Sequence, residues 1–136
     1  MKLSDETKQK IIDENSKWLE NYGTLTKEER KKLGAFYTPA SLIIDMIEKS
    51  GDFDPDDDYL DPTAGNAGIL AALLIAGVNP EHIYCNELCE ETLEIAKSRL
   101  QNLAVELYGR NIPDNHFRHE NALTEAAYFT DIRDVK

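Results

Sequence analysis

Apolar residues at Ile11, Ile12, Trp18, Leu19 and Tyr22 recur at helical spacing and predict an amphipathic helix over residues 4–22. Ser4 is a candidate N-cap and Gly23 ends the pattern. Thr26 and Glu29 make a capping-box pair that opens a short helix, TKEERKKL, stopped by Gly34. The segment GAFYTP reads as a loop, because Pro39 disfavours helical geometry at Thr38. Pro39 itself fits the first turn of the next helix, about 39–50, with Leu42, Ile43, Met46 and Ile47 on one face.

After an acidic loop, GDFDPDDD, the period changes. DYLDPT reads as a strand running into a turn, GILAALLIAG as a buried helix ended by Gly77, and HIYCNE as a second strand. ETLEIAKSRLQNLAVELYG reads as a long helix closed by Gly109, with an apolar stripe of Leu93, Ala96, Leu100, Leu103, Ala104 and Leu107. NHFRHENAL holds a weaker third strand. A β-α-β-α-β succession predicts an α/β fold with a parallel, doubly wound sheet. The division is a helical segment at 1–33 followed by an α/β domain at 34–136.

Composition narrows the partners. The 136 residues suffice for one domain, and no apolar run approaches the roughly 20 residues of a membrane span. The charged N-terminus lacks the apolar stretch of a secretory signal, so a cytoplasmic location is the expectation. Net charge is −11 and unevenly spread. Residues 1–33 carry eight Lys/Arg against seven Asp/Glu, whereas 34–136 carry seven against nineteen. A phosphate-gripping surface should be basic, so any contact with DNA must be mostly indirect. Cys85 and Cys89 make neither a disulfide framework nor a zinc site; they read as small apolar residues in and after a strand. His116 and His119 have no clustered acid or Cys and read as surface or core imidazoles. Asp56, Asp57 and Asp58 read as a solvated acidic loop, so no metal is expected.

The chemistry concentrates in Asp61-Pro62-Thr63-Ala64-Gly65-Asn66-Ala67-Gly68, between a strand end and a helix start. An open α/β sheet binds its ligand there, and small residues let free amides approach an anionic group. Glu87 ends the next strand about 20 residues past the glycine turn, where a carboxylate can accept both ribose hydroxyls of a nucleoside. Leu88 can pack on the base. The turn matches neither a dinucleotide fingerprint nor a P-loop.

Taken together, GAFYTP, LDPTAGNAGIL and CNEL resemble the amino-terminal methyltransferase segment of adenine-N6 DNA methyltransferases, most closely modification subunits of type I restriction systems. The resemblance covers about residues 34–124. It implies a Rossmann-like fold binding S-adenosylmethionine, whose carboxylate would meet the turn and whose ammonium would meet Asp61. The family's aromatic-Tyr-Thr-Pro loop corresponds to Phe36-Tyr37-Thr38-Pro39, and its Asp-Pro-x-x-Gly-x-Gly-Gly turn to Asp61, Pro62, Gly65 and Gly68. Thr63, Ala64 and Asn66 lie within that turn, Glu87 is the ribose ligand, and Asn121 with Ala122 falls where the adenine amino group is contacted.

Three departures bear on function. Ala67 replaces the middle glycine; if that position needs a positive φ, Ala costs about 1–2 kcal/mol, and otherwise its methyl crowds the cofactor. Asn121 replaces an acid and accepts without charge assistance. The catalytic Asn/Asp-Pro-Pro-Tyr/Phe, which holds the amino group of the flipped base, has no counterpart, since no Pro-Pro pair occurs. The expectation is a cofactor-binding portion truncated before the catalytic motif, with no catalytic residue of its own. An open edge at the first strand would then be covered by the N-terminal helices, a second copy or a second polypeptide completing the methyltransferase. The rival reading is a non-catalytic interaction or anti-restriction-type protein built on a methyltransferase remnant.

Overall fold

The computed structural model describes residues 2–20, 38–50, 54–61, 64–65 and 67–120. Helix α1 spans Asp5–Glu20. The Ser4 hydroxyl accepts the Thr7 amide at 3.1 Å, so Ser4 is the N-cap its position predicts. Ile11, Asn15 and Trp18 face inward, one column of the expected stripe, while Ile12 and Leu19 remain exposed. The short helix expected at TKEERKKL lies outside the described residues.

Helix α2, Ala40–Lys49, follows Pro39, whose carbonyl accepts the Leu42 and Ile43 amides at 3.1 Å each. Pro39 is therefore the residue before the first turn, where its missing N–H costs nothing. Ile43, Ile44 and Ile47 are buried. Leu42 and Met46, assigned to the inner face from sequence, point outward instead. Two adjacent apolar columns compete on this helix, and the Ile43/Ile47 column with Ile44 wins the core.

Strands β1 (Tyr59–Asp61), β2 (Ile83–Asn86) and β3 (Phe117–Arg118) form a parallel sheet in the order β1-β2-β3. Asp61 is in register with Cys85, and Asn86 with Arg118. The third strand lies within the NHFRHENAL segment, where the sequence placed it. Helix α3 (Gly68–Ala76) connects β1 to β2 and helix α4 (Glu90–Tyr108) connects β2 to β3. Crossover helices of this kind are what parallel pairing requires. α3 is apolar on every side and sits centrally, touching β1, β2, α1, α2 and α4. Gly77 and Gly109 end the two helices at φ +116° and +71°, left-handed geometry that glycine adopts without penalty.

The core runs from Ile11 and Ile43 through Leu70, Leu74, Val78 and Ile83 to Leu100 and Ile112. On α4 the stripe holds from Leu93 to Ala104, but Leu107 is exposed. Tyr108 takes the inward place at that end, its hydroxyl donating to the Leu74 carbonyl. Buried Arg99 of α4 fastens α1: its Nε donates to Glu14 Oε2 at 3.0 Å, its Nη2 donates to Glu14 Oε1 and to Asn15 Oδ1, and its guanidinium lies 4.6 Å from the Trp18 ring centre. No helix of the described residues is long and apolar enough to cross a membrane.

Candidate functional site

The carboxyl ends of β1 and β2 lie side by side, so the turns that leave them meet. After β1 the Ala67 amide donates to the Ala64 carbonyl at 2.8 Å, closing a tight turn with Gly65 at φ +55°. Ala67 follows at φ +65°, the single non-glycine residue with positive φ among those described. Its carbonyl accepts the Ala71 amide at 2.9 Å and starts α3. Ala67, which stands where the resemblance expects the middle glycine, thus adopts the left-handed conformation. The Ala67 methyl is fully buried and belongs to the hydrophobic core.

The turn is bound to the end of β2 by two contacts. The Ala64 amide donates to the Asn86 carbonyl at 2.9 Å, and the Gly65 amide donates to Glu87 Oε1 at 3.1 Å. Glu87 Oε2 accepts the Cys89 amide at 2.8 Å, just ahead of α4. The residue is only 4% exposed. A buried carboxylate is tolerated when backbone donors satisfy it, and each oxygen keeps a second lone pair for a further donor. Cys85 lies between the acids: burial first, then the charges of Asp61 and Glu87, pushes its thiol up to about 12. It is an inert core residue, and neither cysteine forms a disulfide.

The exit of β3 closes the same end of the sheet. The Glu87 amide donates to the Arg118 carbonyl at 3.1 Å. The Asn86 side chain, 1% exposed as a residue, donates through Nδ2 to the Glu120 carbonyl at 2.9 Å and accepts the Glu120 amide on Oδ1 at 3.0 Å. His119 Nε2 contacts the Leu88 carbonyl, so that nitrogen carries the proton. Nothing in the sequence flagged Asn86, a polar residue in an otherwise apolar strand.

The structure therefore brings Ala64, Gly65 and Glu87 together, with Asp61 at the end of β1 and Leu88 beside Glu87. Leu88 is 61% exposed, an apolar side chain available at the mouth of the site. Thr38 is half-buried just ahead of α2, and no hydrogen bond joins it to the Gly65–Glu87 pair. Phe36, Tyr37, Pro62, Thr63, Asn66, Asn121 and Ala122 lie outside the described residues. Away from this end, His82 Nδ1 sits 2.7 Å from Asp58 Oδ1, and the His116 ring stacks on Tyr84 with centroids 3.9 Å apart. Among the described residues no three His, Cys, Asp or Glu side chains group as metal ligands.

No family model matches the chain. Over 84 residues, 59% of its length, it is 32% identical to the Type II methyltransferase M.VspI of Vibrio sp. (strain 343), of which the match covers 20%. The cryoEM structure of a DrdV–DNA complex is similar with a TM-score of 0.55 and 18% identity, over 94% of this chain and 14% of that one. The chain therefore spans a small part of either protein. The sequence similarity makes it a methyltransferase-like region, and the second likeness extends the fold across nearly all of it.

Proposed function

We propose that this chain is the S-adenosylmethionine-binding portion of a site-specific adenine-N6 DNA methyltransferase, with residues 34–136 forming a Rossmann-like domain and 1–33 a helical segment packed on it. The observation that carries this reading is the Gly65–Glu87 hydrogen bond, which sets a buried carboxylate against a tight glycine turn at the ends of adjacent parallel strands. Glu87 would accept the ribose hydroxyls with its remaining lone pairs, and Leu88 would cover the adenine. Asp61 would meet the ammonium and the amides of the turn the carboxylate. Phe36, Tyr37 and Thr38 would close over the methionine end, and Asn121 with Ala122 would reach the adenine amino group. Similarity to a methyltransferase over 84 residues supports the choice of cofactor.

When bound, the cofactor supplies the activated methyl group. The residues of this chain hold and orient it. They do not include the Pro-Pro tetrapeptide that would grip a flipped adenine. We place the segment that supplies it against the β1 side of the β1-β2-β3 sheet. A second copy pairing there is the alternative. DNA contact is indirect, since 34–136 carry nineteen acids against seven bases.

Titration calorimetry of the folded protein with S-adenosylmethionine tests the proposal. Saturable binding below millimolar concentration supports it, and a flat titration rejects it. The same acidity favours one other reading, an interaction protein that docks on an intact methyltransferase. Inhibition of such an enzyme by the chain, together with a flat titration, would select that reading.

A further inference from the structure

Leu88 lies between two residues that are firmly held. The Glu87 carboxylate bonds the Gly65 and Cys89 amides, and the Glu87 amide closes the β2–β3 ladder. The Cys89 carbonyl accepts the Leu93 amide at 2.9 Å and so belongs to the first turn of α4. Leu88 itself sits in a bend that is neither strand nor helix. Its side chain is largely exposed, so packing does not fix it. Among the described residues one hydrogen bond reaches its backbone, donated by His119 Nε2 to the Leu88 carbonyl. His119 is the first residue beyond β3, 31 positions along the chain. The exit of β3 thereby reaches back to the joint between β2 and α4. An imidazole suits this task, because it presents its N–H on a rigid ring.

We infer that His119 is a positioning residue for the base of the ligand: by holding the Leu88 carbonyl it pre-sets the side chain that covers the adenine. This rests on the cofactor reading above, in which Leu88 is that cover. A bend residue that moves freely in the empty protein must be ordered when a ligand arrives, and the ordering is subtracted from the affinity. The His119 tether meets part of that cost in advance. Its effect is confined to the base, since Glu87 and the glycine turn are held by their own hydrogen bonds. A ligand without a base therefore gains nothing from His119.

The test uses the full chain and calorimetry with S-adenosylhomocysteine and S-ribosylhomocysteine, which share the ribose and amino-acid parts and differ in the base. The ratio of their affinities isolates what the base contributes. His119→Phe keeps a ring and loses the donor, and should lower that ratio about three- to fivefold, the worth of one modest hydrogen bond. His119→Gln puts an amide N–H where the imidazole Nε2–H stood, and should keep the wild-type ratio. In Leu88→Ala the ratio should already be low, and adding His119→Phe should lower it no further. Without ligand, the NMR order parameter of the Leu88 amide should fall in His119→Phe and hold in His119→Gln. If His119→Phe does not fold, His119→Ala takes its place in each comparison. An unchanged ratio or Leu88 order parameter in His119→Phe, a lowered ratio in His119→Gln, or a further fall in the double variant overturns the inference and leaves cofactor binding intact. So does a wild type that binds the two compounds alike. A wild type that binds neither overturns the cofactor reading and this inference with it.

Discussion

Glu87 and Gly65, 22 positions apart, are joined by a 3.1 Å hydrogen bond from the glycine amide to the carboxylate. The bond exists because β1 and β2 run parallel as neighbours, which brings both carboxyl ends to one edge. A local turn and a distant acid thereby become one site. The other carboxylate oxygen holds the Cys89 amide, so Glu87 also sets where α4 begins.

Replacing Glu87 should therefore be felt before any ligand is added. In Glu87→Gln one amide oxygen can replace one carboxylate oxygen, but the NH2 group then faces the other backbone donor. The variant should lose about 1–3 kcal/mol of stability and most of its cofactor binding. Urea unfolding measures the first and calorimetry the second. Full stability in Glu87→Gln would show that the two amides do not depend on the carboxylate.

Arg99 should prove a main attachment of α1. Removing it in Arg99→Ala abandons Glu14 and Asn15 and exposes the Trp18 face. A cost of about 2–4 kcal/mol is expected, centred somewhat lower than for fully buried pairs because Glu14 keeps some contact with water. Arg99→Lys should recover only part, since an ammonium neither forks onto the carboxylate nor stacks flat on indole. A red shift of Trp18 emission before global unfolding would report α1 leaving first.

Ala67 tests two opposing effects. Its φ of +65° strains an L-residue by about 1–2 kcal/mol, yet its methyl fills core space worth about 0.8 kcal/mol. Glycine relieves the strain, but empties that space and frees the unfolded chain. Ala67→Gly should thus stay within about 1 kcal/mol of wild type, whereas Ala67→Val, branched and overpacked at a left-handed position, should lose about 2–4 kcal/mol. Thermal melts of the pair distinguish the case from a simple glycine preference, which predicts a clear gain for Ala67→Gly.

The helices and their ends were legible because local signals define them: Ser4 caps α1, and Gly77 and Gly109 close α3 and α4. The meeting of Gly65 and Glu87 was legible from their places at successive strand ends. Which apolar column of α2 turns inward was not, because Leu42/Met46 and Ile43/Ile47 have the same spacing and only the packing partner separates them. The Asn86–Glu120 clasp and the Arg99–Glu14 pair were invisible for another reason: each joins residues more than thirty positions apart through a polar side chain, and no periodicity records such a bond.

Acid should weaken the fold through His116. Its ring stacks on Tyr84, and its Nδ1 lies 2.9 Å from the Ile83 carbonyl. Burial lowers its pKa below the ordinary 6.5, and the Arg118 and His82 charges act in the same sense; the Ile83 hydrogen bond and Asp58 oppose them without prevailing. The folded ring therefore releases its proton more readily than the unfolded one. Between the lowered folded value and 6.5 the unfolded chain binds more protons, so stability declines as pH falls through that window and levels off below it. His116→Phe retains the stack and cannot titrate, and its unfolding midpoint should lose this part of the pH dependence. NMR titration of the ring gives the folded pKa directly, and a value at or above 6.5 would remove the basis for the effect.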